Sequence, residues 1–248
     1  MRQLVSIRSV TPTRRDRLLV HLTADLVILT IRAGVLHVLL VERGTVPFLG
    51  RWALPGGFLR GAETLDGTAV RELREETGLD AERFHLEQVG VYSAPDRDPR
   101  DRRTVTCSYL AIAPDLPVPT AGSDARAAVW RPVDELLDDP EGLAFDHGRI
   151  LRDAVDQART KLQFTTIATS FCPPEFTVSE LREVFEAVWG VSLDRPNFHR
   201  KVTDAEGFLV PTGRRRASAG GRPAALFRAG SATALMPPML RPPGGPGR

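Results

Sequence analysis

Cysteine is nearly missing from this chain of 248 residues, with only Cys107 and Cys172 present. Two cysteines make neither a disulfide framework nor a zinc site, and they fit a reducing cytoplasm as small buried apolar residues. Lysine is as scarce (Lys161 and Lys201), while arginine, alanine and proline abound. That bias is one of composition and points to no chemistry. No apolar run is long enough to span a membrane. The N-terminal stretch carries charge without the apolar core of a signal peptide, so export is not expected and the chain is expected in the cytoplasm. Net charge is only +2, which by itself names no partner. Internal repeats are absent.

The apolar fraction of 42% is enough for a core, and the length suits one large domain or two small ones. Charge is unevenly spread. Residues 191–248 hold ten Arg or Lys and three Asp or Glu, a net of +7, which leaves 23 basic and 28 acidic residues elsewhere, a net of −5. An acidic first part and a basic last part imply two domains with different partners.

Residues 1–21 are polar and arginine-rich without a clear period, and are expected to be flexible. Ala24–Ile31 and Val35–Val41 are β-branched and leucine-rich runs joined by a short turn at Arg32-Ala33-Gly34, which predicts a hairpin or adjacent strands. A short apolar strand around Trp52–Leu54 then turns at Pro55-Gly56-Gly57. A helix is predicted from about Thr64 to a stop at Gly78. Further strands are predicted at Gln88–Tyr92, Thr104–Ile112 and Ala127–Val133, with loops at the Asp96–Arg100 stretch and at Pro114–Ser123. A short helix follows at Val133–Leu137. Ile150, Leu151, Ala154, Val155, Ala158 and Leu162 recur at helical spacing. Strands with helices on their faces predict an α+β chain whose first domain is an α/β/α sandwich over residues 22–163.

Behind the glycine turn, residues 57–79 read GFLRGAETLDGTAVRELREETGL. Gly57, Glu63, Arg71, Glu72, Glu75, Glu76 and Gly78, with aliphatic Leu73 and Leu79, fill every position of the pattern G-x5-E-x7-R-E-U-x-E-E-x-G-U. A chance match in one chain is rarer than roughly one in a million at average residue frequencies. Glu72, Glu75 and Glu76 stand at i, i+3 and i+4, so their carboxylates share one helical face. A divalent cation relieves their mutual repulsion. Mg²⁺ takes oxygen ligands, keeping waters and ligand phosphates beside one or two carboxylates. The three carboxylates are the expected metal ligands, with Mg²⁺ or Mn²⁺ as the cation. Arg71, Glu75 and Glu76 are the candidate catalytic residues, Arg71 as a fork that orients a glutamate. Glu63 is assigned a structural role. Two readings stand open for Arg97 and Arg100: a clamp on a diphosphate, or a surface loop paired with Asp96, Asp98 and Asp101.

The last third has a second pattern. Thr177 with Glu180 three residues on forms a capping box. Leu181, Val184, Phe185 and Val188 make one apolar stripe ending at Gly190. Asp194 caps a second helix running to about Glu206, with Phe198 expected in the core. Short strands are predicted at Phe208–Pro211 and Ala224–Arg228, with the arginines of residues 213–223 in the connection between them. This is a winged helix-turn-helix over residues 164–229, followed by a Pro- and Gly-rich tail, 230–248, expected to be disordered. In such a fold the second helix enters the major groove. Here it offers Arg195, Asn197, His199, Arg200 and Lys201, where arginine suits guanine and asparagine suits adenine. The wing offers Arg214, Arg215, Arg216 and Arg222 to phosphates or a minor groove. The alternative is an accessory domain that serves dimerisation only.

The glutamate pattern is that of the Nudix box, so residues 23–137 resemble the Nudix hydrolases. The segments PFLGRWALPGGFLR, SAPDRDPRDRR, LAFDHGRIL, FTVSELREVFEAVWG, NFHRKV and GRPAALFR resemble the Nudix-related transcriptional regulators of the NrtR type, over nearly all of residues 23–229. The resemblance implies a homodimeric bacterial repressor of NAD-metabolism genes that binds double-stranded operator DNA, with ADP-ribose as effector in the Nudix domain. Several members of that family carry a decayed box, whereas here all three helix-face glutamates are present. Similarity to ADP-ribose pyrophosphatases implies attack of water on the diphosphate of ADP-ribose, giving AMP and ribose 5-phosphate, or on that of a related nucleoside diphosphate, with the Gly57 carbonyl beside Glu72, Glu75 and Glu76 at the metal.

Overall fold

A computed structural model describes residues 18–242 except 79, 81, 83, 101, 115, 117–124, 219 and 220. Residues 1–17 and 243–248, Leu79, Asp101 and most of the loop expected at Pro114–Ser123 therefore lie outside the described residues.

The first domain is built on β1 (His21–Arg32), β2 (Val35–Arg43), β3 (Trp52–Ala53), β4 (Gly56–Phe58), β5 (His85–Tyr92), β6 (Thr104–Ile112) and β7 (Ala125–Pro132). They form one sheet in the order β3-β2-β1-β6-β5, with β4 on β1 and β7 on β2. β1 and β6 pair in parallel from His21↔Thr104 to Leu29↔Ile112. A parallel pair needs a crossover, and the chain between them supplies α1 (Leu65–Thr77) and β5. β1 is central and buried on both faces, so its side chains alternate between two cores. Val27 and Leu29 join Val38, Leu40, Leu110 and Ile112 on one side, while Leu26 and Ile28 join Leu39, Tyr109 and Ala111 on the other. α1 covers the second core with Ala69 and Leu73. α3 (His147–Phe164) covers the first, burying all six of its predicted apolar positions. Each buried Ile, Leu or Val among them contributes about 1.5–3 kcal/mol. The α/β/α sandwich is thus in place. α2 (Val133–Asp138) is the short helix after β7.

Two strands share one edge of β1. β2 pairs with it from Leu29↔Val38 outward, and β4 takes over at Thr23, Ala24 and Asp25. The glycine turn is thereby pressed onto β1: a Cβ on Gly56 would lie 2.5 Å from the Ala24 carbonyl oxygen. Only glycine permits that approach.

α3 runs unbroken into the second domain, packing on α4 (Val178–Trp189), which is followed by α5 (Arg195–Asp204). The capping box is present: Thr177 Oγ1 accepts from the Glu180 amide at 3.2 Å, and the Glu180 carboxylate accepts from the Thr177 amide at 2.6 Å. Phe198 is buried against Phe185, as expected. The wing differs from its expected form. β8 (Leu209–Ser218) and β9 (Gly221–Ala229) are long strands, so Arg214, Arg215 and Arg216 lie on β8 and Arg222 on β9. A register shift between Pro211 and Arg215, around Gly213 at φ 74°, absorbs the residues that composition assigns to a loop. The side chain of Arg222 lies outside the description.

The tail also departs from expectation over its described part, 230–242. Leu235 and Met239 are buried in the main core, and their amides donate to the carbonyls of Phe164 and Gln163 at 2.9 and 2.8 Å. Composition was a poor guide because two apolar residues and two backbone bonds suffice to dock the segment on the end of α3. Among the described residues no helix is long and apolar enough to cross a membrane. Cys107 and Cys172 are both buried, as expected.

Candidate functional site

A cavity of about 540 Å³ opens beside the split between β2 and β4. Gly57, Glu72, Glu75, Glu76, Arg97 and Arg100 all line it, so the helix face and the polar loop meet as the sequence suggested. α1 starts at the Thr64 N-cap, whose hydroxyl accepts from the Gly67 amide at 3.0 Å, and stops at Gly78 in left-handed backbone. Gly57 is what brings the turn onto the helix: a Cβ there would stand 1.8 Å from Glu72 Oε1.

Arg71 organises the box. Its Nε and Nη2 fork onto the Glu63 carboxylate at 2.8 and 3.2 Å, its Nη1 donates to Glu72 Oε1 at 2.6 Å and to Glu75 Oε2 at 3.4 Å, and Nη2 also reaches the Phe58 carbonyl at 3.1 Å. Glu63 is therefore the structural glutamate. Arg71 holds its carboxyl down to about 2, helped by the Arg60 amide and the Thr68 hydroxyl. Glu75 is the exposed member, paired with Arg60 at 3.3 Å. Burial raises the Glu72 carboxyl, against the pull of Arg71. Glu76 goes furthest, to about 7, by burial and then by the charges of Glu72 and Glu75. Its Oε2 is buried with no hydrogen-bond partner.

Among the described residues no three acidic, histidine or cysteine side chains converge as a ready cation cage. Arg71 accounts for this, since it draws Glu72 and Glu75 onto itself. Mg²⁺ needs only one or two carboxylates beside water and phosphate oxygens. The unpartnered Glu76 oxygen, the all-oxygen donor set and the like charges around it fit such an ion.

The loop reading of Arg97 needs correction. Arg97 is buried: Nε and Nη2 fork onto Asp146 at 3.0 and 2.7 Å, and Nη2 reaches Asp25 at 3.3 Å. It is no surface residue, and two of its nitrogens are already engaged by protein. Arg100 does pair with Asp98, whose carboxylate accepts from Nε at 2.8 and 2.9 Å. Asp96 is exposed.

Reasoning from sequence missed Asp25, Arg43, Phe58, Phe145, Asp146 and His147, all of which line or support the cavity. Asp25 had a signal: a lone acid in the buried run of β1. Burial raises its carboxyl to about 6, opposed by Arg97. His147 accepts the Leu54 amide on Nδ1 at 2.9 Å, which leaves its proton on Nε2, 3.7 Å from Asp25. Burial lowers it to about 3, so it is neutral at ordinary pH. Asp146 stands at the N-cap position of α3, yet its side chain caps nothing and grips Arg97 instead.

The basic end keeps its own geometry. Arg195, Asn197, His199, Arg200 and Lys201 are all exposed on α5, while Phe198 and Val202 face inward. Asp194 caps the helix through the Asn197 amide at 2.9 Å. The wing arginines are partly engaged: Arg214 pairs with Glu175, and Arg216 pairs with Glu180 and donates to the Glu175 carbonyl at 3.0 Å. Arg215 donates to the Pro223 carbonyl at 3.1 Å.

Known proteins repeat this two-part plan. The NUDIX domain family matches residues 20–154, and the NrtR DNA-binding winged helix domain matches residues 168–229. The ADPR responsive transcriptional repressor NtrR of Acinetobacter baylyi is 33% identical over 209 residues, which is 84% of this chain and 81% of that one. An ADP-ribose pyrophosphatase of Methanocaldococcus jannaschii is 43% identical over 117 residues, covering 47% of this chain and 64% of that one. The crystal structure of Shewanella oneidensis NrtR complexed with a 27mer DNA superposes with a TM-score of 0.71 at 33% identity, covering 84% of this chain and 93% of that one. With both matches running consecutively along one chain, this protein belongs to the NUDIX family, in the branch that carries an NrtR winged helix.

Proposed function

We propose that this protein is an ADP-ribose-responsive transcriptional repressor, acting as a homodimer, whose NUDIX domain senses the ligand and whose winged helix binds operator DNA. The observation that carries this reading is α3, one helix with His147 at the cavity and its far end packed on the winged helix. The exposed basic face of α5 supports the DNA partner, and the Acinetobacter repressor and the Shewanella NrtR–DNA complex support the class. Ligand releases DNA only if it binds the DNA-free arrangement more tightly. Fluorescence polarisation with operator duplex tests this: the complex should weaken steeply with salt and dissociate when ADP-ribose is added. No binding at low salt defeats the reading.

A second reading, hydrolysis of the same ligand, has its own support in the filled box pattern, the unpartnered Glu76 oxygen and the pyrophosphatase relative. Glu72, Glu75 and Glu76, with the Gly57 carbonyl, would hold Mg²⁺ or Mn²⁺. Such an ion would polarise a phosphoryl oxygen and would supply hydroxide at neutral pH. Arg71 positions Glu72 and Glu75 through its own hydrogen bonds. Release of AMP from ADP-ribose with Mg²⁺ decides whether sensor and enzyme coexist.

A further inference from the structure

The cavity has a second wall, remote in character from the glutamates. Phe145 sits there at φ 54°, a left-handed conformation that a bulky residue keeps only where its surroundings hold it. Its ring meets Phe48, itself at φ 66°, edge to face at 4.8 Å, and meets His147 at 5.1 Å. Two guanidiniums rest against this same ring, Arg43 at 4.6 Å and Arg100 at 5.5 Å, and Arg100 is also 5.0 Å from the Phe58 ring. Arg43 donates from Nε to the Pro47 carbonyl at 2.8 Å, which fixes the plane of its fork. Among the described residues it makes no ion pair, and its terminal nitrogens have no acceptor. Burial, then the neighbouring Arg100 charge, draws Arg43 below its ordinary value. Arg100 is balanced by Asp98; Arg43 is not.

We propose that Arg43 and Arg100, mounted on the Phe145 ring, form a metal-independent grip for the diphosphate of a nucleoside-diphosphate ligand. The proposal rests on the reading of the cavity as an ADP-ribose site and divides it into two walls. The glutamate wall repels an anion until a cation is present. The arginine wall attracts one without help: Arg43 offers both terminal nitrogens in a geometry that matches phosphate oxygens, while Arg100, whose Nε and Nη2 are held by Asp98, offers Nη1. The aromatic contact, with the Pro47 carbonyl for Arg43 and the Asp98 carboxylate for Arg100, holds each guanidinium in place before the ligand arrives. Sensing therefore needs no metal, whereas cleavage does.

Calorimetry on the full chain tests the division, with ADP-ribose and adenosine as probes, each in Mg²⁺ and in EDTA. Wild type should bind ADP-ribose in EDTA at least about tenfold more tightly than adenosine, and inorganic diphosphate should compete with it. Arg43→Met and Arg100→Met should each weaken ADP-ribose in EDTA by about tenfold or more, as expected for a lost charged hydrogen bond, and leave adenosine unchanged. Arg43→Lys keeps charge and stem but loses the fork, and it carries the test if the methionine variant does not fold: ADP-ribose should again weaken and adenosine should not. Wild-type binding that requires Mg²⁺, or variants that bind like wild type in EDTA, overturn the proposal and leave the ligand assignment standing. Absence of ADP-ribose binding in both buffers defeats the ligand assignment itself.

Discussion

Trp189 and Arg159 tie the two domains together by opposed hydrogen bonds. The Trp189 indole donates to the Arg159 carbonyl at 3.0 Å, and Arg159 Nε donates to the Val188 carbonyl at 2.9 Å. The tail closes the same joint, since Arg241 donates to the Trp189 carbonyl at 2.6 Å. This junction lies on the far end of the helix whose first residues reach the cavity.

Replacing Trp189 with Phe keeps most of the buried ring and deletes the indole donor, leaving the Arg159 carbonyl without it. A loss of about 1–3 kcal/mol in stability is expected. If α3 carries the signal, the variant should also bind ADP-ribose and operator separately while the ligand releases DNA less completely. Polarisation titrations with and without ADP-ribose measure this, and full release by the variant would mean the coupling runs elsewhere.

The docked tail makes a stability prediction. Leu235 is 3% exposed inside the main core. Leu235→Ala should destabilise the chain by about 2–5 kcal/mol. A chain ending after Ala229 should lose at least as much, because it also uncovers the surface under Met239. Urea unfolding decides; an unchanged midpoint for the truncated chain would show that the segment does not stay docked in solution.

His147 and Asp25 oppose each other in pH dependence. His147 is held at about 3, against 6.5 when free, so its contribution is fully present above pH 6.5 and is lost as pH falls toward 3. The slope is at most about 1.4 kcal/mol per pH unit. Asp25 is raised from 3.8 to about 6, so its contribution is present below pH 3.8 and lost as pH rises through 6. Their slopes offset between those limits. His147→Asn retains an acceptor for the Leu54 amide and leaves Asp25 unopposed. Relative to wild type, the variant should gain stability as pH drops from 6.5 to 4. A constant difference across that range, by urea midpoints, would contradict the assignment.

Glu76→Gln separates charge from shape in the box. Glu76 is raised to about 7, so its favourable contribution is present below pH 4.5 and lost as pH climbs through 7. In EDTA at pH 8 the glutamine variant should be more stable, on the order of 1 kcal/mol after screening. If the chain cleaves ADP-ribose as proposed, AMP release should fall roughly hundredfold or more in this variant, since even groups one step removed from a metal cost 10–100-fold. An unchanged rate would remove Glu76 from the metal set.

On DNA, Arg200→Ala and Lys201→Ala should each reduce the slope of log affinity against log salt by about 1. Asn197→Ala should instead lower the preference for operator over scrambled duplex by about 1–3 kcal/mol. Arg216→Ala should change the slope by less than a full unit, because Arg216 already neutralises Glu180 and only exchanges a carboxylate for a phosphate. Equal slopes for all four variants would place DNA on another face.

Much of the fold is readable from local pattern. The capping box at Thr177, the stop at Gly78, the continuous apolar run of β1 and the stripe of α3 are signals whose partners lie within a few residues. The box helix is of the same kind, so Glu72, Glu75 and Glu76 could be named before any fold was known. The wing and tail depart from composition for two different reasons: β8 and β9 extend as a local hairpin through the Gly- and Arg-rich stretch by means of register shifts, while Leu235 is buried by docking on the distant end of α3.

The NUDIX helix, the order of the two domains and the basic face of α5 follow from residue order, because each rests on spacing along one element. The meeting of Arg43 with Arg100 on the Phe145 ring and the buried network under the cavity come from the folded chain. Arg97 meets Asp25 across 72 residues, and His147 meets the Leu54 amide across 93. No periodicity links such positions. Only the parallel pairing of β1 with β6, and the return of α3 across the sheet, bring their charges close enough to shift one another.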